Sequence, residues 1–410
     1  MTIFVSIASY RDPDLIPTIG DCIRRARWPG QLRFGICWQH GRGEASPRNI
    51  GSGRIDVIDV PWRSSRGACW ARSEIMKLYE GEDFFLQLDS HHRFVEGWDA
   101  ILLDQAQRTG ATRPLLTTYA APFQPDRPLP AFDVPTGMKF NCFRADGTPS
   151  TGITMEPGWA DRERPVRARF VSAHMLFTLG SFVEDVAYDP ELYFYGEEIS
   201  LAIRAFTHDY LPFHPSAHLM WHQDPRRTGP LHWDDHVAGR GVEVTAAERD
   251  RASLTKVNRF LQDPQVGPLA CGTARSFHEY QVYSGLDFRR RTASASARRG
   301  DEPAPPPPPE ASMRTWTLRI AIDRVALPDA ALDRPRFWYI GIHDDQDAEL
   351  ARQDAGPAEL GAALARSDGR IVIQRQIRSP RPPARWTVWP VDRRGQWLDR
   401  VSGPAAECLA

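Results

Sequence analysis

Five consecutive prolines, Pro305 to Pro309, divide this chain of 410 residues. Proline lacks a backbone N–H and its ring fixes φ, so such a run enters neither a helix interior nor a central strand. It forms an extended spacer instead. Together with the Ala/Ser/Arg-rich stretch before it, the run predicts a linker over residues 291–312, between a larger domain at 1–290 and a smaller one at 313–410.

The larger domain alternates apolar runs with helical patterns. Ile3 to Ser9, Leu32 to Gln39, Ile55 to Val60 and Phe84 to Leu88 read as strands. A helix from the Asp12–Asp14 region through Ile23, and another over Arg66 to Tyr79, fall between them. Strands alternating with helices predict an α/β domain with a mainly parallel sheet. Phe123 to Arg169, rich in Pro and Gly, reads as a long loop, and Ala168 to Leu179 as a further strand. Helices are expected over Ile199 to Thr207 and Ala246 to Leu261, around a polar, His-rich loop at Pro225 to Gly241. Past the prolines, Trp316–Ile322, Phe337–Ile342, Arg370–Ile377 and Arg385–Pro390 predict a small β-sandwich or related β-rich domain. There, core packing is the expected fate of Trp316, Trp338, Trp386 and Trp389, ahead of a sugar-stacking platform.

Fifty-one basic and 52 acidic residues leave a formal charge of -1, which gives no drive toward nucleic acid or an anionic membrane. Only Lys77, Lys139 and Lys256 are lysines, an imbalance that codon bias explains more simply than a phosphate-binding surface. No apolar run reaches the roughly 18 residues of a membrane span. The first residues read directly into a strand without a leader-like pattern, so a cytoplasmic protein is expected. Cys22, Cys37, Cys69, Cys142, Cys271 and Cys408 form no Cys-x-x-Cys pair and are expected as reduced thiols.

The apolar run Phe84–Leu88 ends in Asp89-Ser90-His91. Residues i and i+2 of an extended segment share a side, so Asp89 and His91 could offer one oxygen and one nitrogen to a single ion. That pair suits Mn²⁺ or a similar divalent cation better than Ca²⁺. Three further segments carry matching chemistry. Tyr195-Gly196-Glu197-Glu198 opens a helix, where acids meet the positive end of the dipole. His218 and His222, flanking Trp221, offer neutral imidazoles. Ser9, Tyr10 and Arg11 at the exit of the first strand, with Asp12, Arg66 and Arg72, could hold a nucleotide.

Three stretches in order, IFVSIASYRDPD from Ile3, FFLQLDSHHRFVEGWD from Phe84 and DPELYFYGEEISLAIRAFTH from Asp189, resemble glycosyltransferase family 60. Its best-known members are cytoplasmic polypeptide N-acetylglucosaminyltransferases acting on hydroxyproline. The resemblance covers roughly residues 1 to 290, and the Asp-Ser-His triplet is also similar to that of mucin-type polypeptide N-acetylgalactosaminyltransferases. It implies a GT-A-like nucleotide-diphospho-sugar transferase domain, with Asp89 and His91 coordinating Mn²⁺ bound to a UDP-sugar donor. It further implies His222 as third ligand, Glu197 and Glu198 contacting sugar or acceptor, and transfer to a protein or glycan hydroxyl with retention. N-acetylglucosamine is the leading donor sugar. A silent carbohydrate-binding or scaffold protein, or a metal-dependent hydrolase, are the rival readings.

The bland readings of the same residues are specific. Asp89 alone could be a turn or cap residue, and Glu197-Glu198 a solvated first helical turn. His92, on the opposite side from His91, reads as structural. The cluster His232-Trp233-Asp234-Asp235-His236 reads as a mobile polar acceptor loop rather than a second metal site. Arg66 and Arg72 could be surface arginines.

Overall fold

The computed structural model describes residues 1–410 except 52–53, 132–133, 155–161, 227, 268, 310–312, 367–368 and 408–410, so Cys408 lies outside the described residues. The chain forms two compact units, Met1–Pro306 and Pro307–Ala410.

The first unit is built on an eight-stranded sheet. In chain order its strands and their neighbours are β1 (Ile3–Tyr10), β2 (Leu32–His40), β3 (Arg54–Pro61), β4 (Phe84–Asp89), β5 (His92–Phe94), β6 (Pro114–Thr117), β7 (Ala121–Phe123), β8 (Gly137–Phe143), β9 (Pro149–Thr154), β10 (Val166–Arg167), β11 (Met175–Leu179), β12 (Leu211–His214) and β13 (Met220–Gln223). The large sheet runs β10-β12-β6-β11-β4-β1-β2-β3. Strands β4, β1, β2 and β3 pair in parallel, as do β6 and β12, while β11 runs against both β4 and β6. A sheet covered on both faces needs apolar residues on both sides of each strand. β1 shows this directly: Ile3, Val5 and Ile7 face one cluster and Phe4 the other.

Helices α1 (Leu15–Arg25), α2 (Ala68–Met76), α3 (Trp98–Arg108), α4 (Phe182–Asp185), α5 (Glu197–Thr207), α6 (His232–Asp235), α7 (Ala246–Gln262), α8 (Phe277–Ser284) and α9 (Ala295–Arg299) complete this unit. α1 and α3 cover one face through Leu15, Ile19, Trp98 and Leu102; α2 and α5 cover the other through Ile75, Leu201 and Phe206. Thr245 caps α7 by accepting from the Glu248 N–H, and Glu248 bonds back to the Thr245 N–H.

Three expectations change. The expected loop Phe123–Arg169 contains the β8–β9 hairpin, whose turn is closed by Arg144 N–H to the Thr148 carbonyl and by the Asp146 carboxylate. The expected strand Ala168–Leu179 is shorter, Met175–Leu179. The start of the expected linker is folded: β14 (Leu286–Asp287) pairs with β15 (Thr292–Ala293), and α9 follows with Ala297 fully buried. Arg169 joins this tail to α8, donating to the Tyr283 carbonyl on one side and to the Asp301 carbonyl and Ser296 Oγ on the other. Alternating small and polar residues hide a packed segment from pattern reading, because little more than Ala297 and the half-buried Ala293 reaches the core.

The second unit has two sheets around one core. β16 (Arg314–Asp323) lies between β19 (Arg370–Ser379) and β22 (Ala406–Glu407). The other sheet runs β18 (Glu349–Arg352), β17 (Phe337–His343), β20 (Arg385–Val391), β21 (Val401–Pro404). Ile320, Ile340, Ile373 and Val388 meet between them, and α11 (Pro357–Ala365), which follows the short α10 (Asp329–Leu332), adds Leu360. Trp338 and Trp386 are buried in this core, and Trp316 is half-buried, its indole N–H donating to the Ser379 carbonyl. Trp389 departs from the expectation: it is exposed and packs against exposed Trp397, ring centres 4.7 Å apart.

Candidate active site

Because β1 and β4 are adjacent and parallel, with Ala8 level with Asp89, their carboxyl ends open at the same edge of the sheet. The chain leaves β4 at Asp89 and enters β5 at His92. β5 pairs with β13, His92 opposite His222, and β13 pairs with β7, giving a small second sheet beside the large one. This pairing brings His222 to the end of β4. One oxygen of Asp89 and one nitrogen each of His91 and His222 lie within 4.8 Å of one another, the one such group among the described residues able to hold a metal. His218 is outside it and packs edge-on against Trp221.

The donor set fits a divalent cation. His222 Nε2 is buried without a hydrogen-bond partner and stands 3.4 Å from Asp89 Oδ2. A buried ring nitrogen with only so long a contact is poorly satisfied unless something takes it up. One carboxylate oxygen and two imidazoles suit Mn²⁺ and its first-row neighbours.

Arg72, expected as a nucleotide contact or a surface arginine, is buried rather than on the surface; it lines the cavity described below and bridges two acids. Nη2 donates to Asp89 Oδ1 at 2.7 Å, and Nη1 to Glu197 Oε1 at 2.5 Å. Tyr188 OH also donates to Glu197 Oε1, at 2.7 Å. Burial alone would raise the Asp89 pKa, but His222 and the Arg72 guanidinium beside it hold it well below the usual carboxylate range. Two acids adjacent in sequence are therefore placed differently. Gly196, in the left-handed region at φ 88, turns the chain into α5, and a Cβ there would strike Val257 of α7. Glu197 turns inward to Arg72, while Glu198 accepts from the Ala173 N–H at 2.8 Å and from Tyr119 OH at 3.1 Å. Burial pushes the Glu198 carboxyl up to about 7.

These groups line a cavity of about 620 Å³ whose wall also carries Tyr10, Arg144, Arg226, Phe194, Tyr195 and Trp233. The size is that of a small-molecule or cofactor site. The remaining expected residues distribute unevenly. Tyr10 faces the cavity, its OH donating to Asp235. Arg11 turns to Asp235 and Glu44, and Ser9 is buried beneath the wall. Arg66 lies apart, over Trp70 and beside a separate surface depression, although its neighbours Gly67 and Ala68 line the cavity. The His232–His236 segment is anchored rather than mobile: the two rings stack 3.7 Å apart, both buried, and Asp235 is fixed by Tyr10 and Arg11.

Sequence reading missed several contributors. Tyr119 and Tyr188 give no local signal, because each meets its acid only through the fold. His174 stacks on His222 at 4.2 Å, but its Nε2 already accepts from the Ala120 N–H, so it backs the site without being a ligand. His92, expected as structural, is fully buried, and its Nδ1–H donates to the Trp221 carbonyl at 3.1 Å.

The sequence matches the glycosyltransferase (GlcNAc) family over residues 2–53 and 46–290. The chain belongs to that family. No curated protein matches it. Among solved structures it is distantly similar to GalNAc-T7 crystallised with UDP, GalNAc and Mn²⁺, with 13% identity, a TM-score of 0.40 and coverage of 54% of this chain. The chain spans 44% of the length of that protein. It is also similar to S. aureus TarS 1-349 in complex with UDP-GlcNAc, with 11% identity, a TM-score of 0.36, and 64% and 73% of the two chains covered.

Proposed function

We propose that the protein transfers N-acetylglucosamine from its UDP donor to a hydroxyl acceptor on a protein or glycan, in a GT-A-like domain and with retention of anomeric configuration. The observation that carries this reading is the Asp89–His91–His222 group at the end of β4, in the floor of the cavity. Family membership supports sugar transfer; the donor, acceptor, stereochemistry and affiliation with glycosyltransferase family 60 are proposed on the sequence motifs.

In this reading Asp89, His91 and His222 hold Mn²⁺, which when bound neutralises charge developing on the diphosphate leaving group. The bond between the anomeric carbon and the diphosphate oxygen breaks, one to the acceptor oxygen forms, and the acceptor's hydroxyl proton passes to the departing diphosphate. Arg72 keeps Asp89 ionised and aimed, and ties it to Glu197 across the floor. Glu198, with a pKa near neutrality, is suited to hold or release a proton beside a sugar or acceptor hydroxyl. Phe194, Tyr195 and Trp233, exposed on the cavity wall, offer apolar faces to a sugar or acceptor.

The test is UDP release from a panel of UDP-sugars with Mn²⁺, with and without cell extract. One preferred donor, with release stimulated by extract, is the expected result. Asp89→Ala and His91→Ala should each lose about two to three powers of ten in rate, a magnitude seen when one group stabilising transition-state charge is removed. Binding of a UDP-sugar with no UDP release would favour the silent carbohydrate-binding alternative. Release equally fast without any acceptor would favour a hydrolase.

A further inference from the structure

We propose that Asp12, on the loop leaving β1, is the positioning residue that sets the tautomer and aim of His91. This rests on the metal reading of Asp89, His91 and His222. Asp12 Oδ2 stands 2.7 Å from His91 Nδ1 and accepts from Ser90 Oγ at 2.6 Å; Oδ1 accepts from the Asp14 N–H at 3.0 Å. Its side chain has no solvent exposure. A carboxylate only accepts, so Nδ1 must carry the hydrogen of that contact. A neutral imidazole then has its lone pair on Nε2, the nitrogen left for an ion.

The arrangement is specific to Asp12 among its neighbours. Asp14, two residues on, is engaged by both terminal nitrogens of Arg93 at 2.7 and 2.9 Å and does not reach His91. Arg226, on the segment after β13, closes the far side: its Nε lies 3.5 Å from Asp12 Oδ2, and its Nη2 donates to the carbonyls of Tyr10 and Arg11. One carboxylate thus joins the exit of β1, the Asp-Ser-His turn and the segment following His222. A ligand's orientation is set by a residue 79 positions away.

The experiment uses the full chain and Mn²⁺ alone as probe, followed by the electron paramagnetic resonance signal of free Mn²⁺. Asp12→Asn should bind Mn²⁺ about 10- to 100-fold more weakly than wild type, the usual effect of losing such a partner. Asp14→Asn removes a buried carboxylate from the same loop and should leave the affinity unchanged. In metal-free protein labelled with ¹⁵N-histidine, the wild-type His91 ring should be protonated at Nδ1, and Asp12→Asn should populate the Nε2–H form. Saturating Mn²⁺ should restore most of the UDP release of Asp12→Asn, since the Asp12 side chain has no solvent exposure and does not line the cavity. A folded Asp12→Asn protein with wild-type Mn²⁺ affinity overturns the proposal, as does an equal loss in both variants. A wild-type protein that binds no Mn²⁺ overturns the metal reading itself and the proposal with it.

Discussion

Glu197 and Glu198 are neighbours in sequence and opposites in chemistry. Glu197 meets a guanidinium and a phenol, whereas Glu198, half-buried on the cavity wall, meets a backbone N–H and Tyr119. The Glu198 pKa rises from 4.5 to about 7, so folding favours its protonated form. The associated stability is present below the unfolded value and is lost as pH rises through the folded one. Glu198→Gln should therefore melt above wild type at pH 8 by a few degrees, with a much smaller gap at pH 5, as checked by differential scanning fluorimetry. Parallel melting curves across that range would contradict it. Arg72→Met should be costly in another way. It leaves two acids without their shared cation, and breaking a buried ion pair costs about 3–5 kcal/mol, measurable by urea denaturation. The Asp89 and His91 pair was legible in the sequence because both lie in one short segment. The roles of Asp12, Arg72, Tyr119 and Tyr188 were not, since hydrogen-bond partners distant in sequence leave no local pattern.

At the level of strands and helices, the alternation of apolar runs and helical patterns was enough to place β1 to β4 and the helices between them. What could not be read was direction. β11 carries the same apolar signature as its parallel neighbours, yet runs antiparallel between β4 and β6. The β8–β9 hairpin was hidden because a half-exposed pair rich in Gly and Pro reads as loop. Two glycines test how tightly these elements meet. At Gly180, just past β11, a Cβ would stand 1.8 Å from the Glu82 carbonyl oxygen. Backbone cannot yield as a side-chain end can, so Gly180→Ala should lower stability by about 2 kcal/mol or more, within the range for overpacking. Gly20 lies inside α1 with nothing near its missing Cβ. Gly20→Ala should raise stability by about 0.5–1 kcal/mol, the difference in helix preference. Chemical denaturation of the two variants should move the midpoint in opposite directions.

Across the whole molecule, each unit has its own apolar core, and the family match ends at residue 290, inside the first. A protein ending at Pro306 should fold, keep its Mn²⁺ affinity and release UDP as the full chain does; near-ultraviolet circular dichroism and the donor assay check this. One ending at 290 should be less stable, because it loses the tail that fills the surface held by Arg169. The crossing from β4 to β5 has a mechanical meaning as well. Asp89 belongs to the large sheet and His222 to the small one, and His91 sits on the short crossing between them. A cation gripped by all three would act as a rivet through that seam. Stripping it with a chelator should loosen the small sheet first, and the amides of Met220 to Gln223 should then exchange with solvent faster while those of β1 and β2 stay protected.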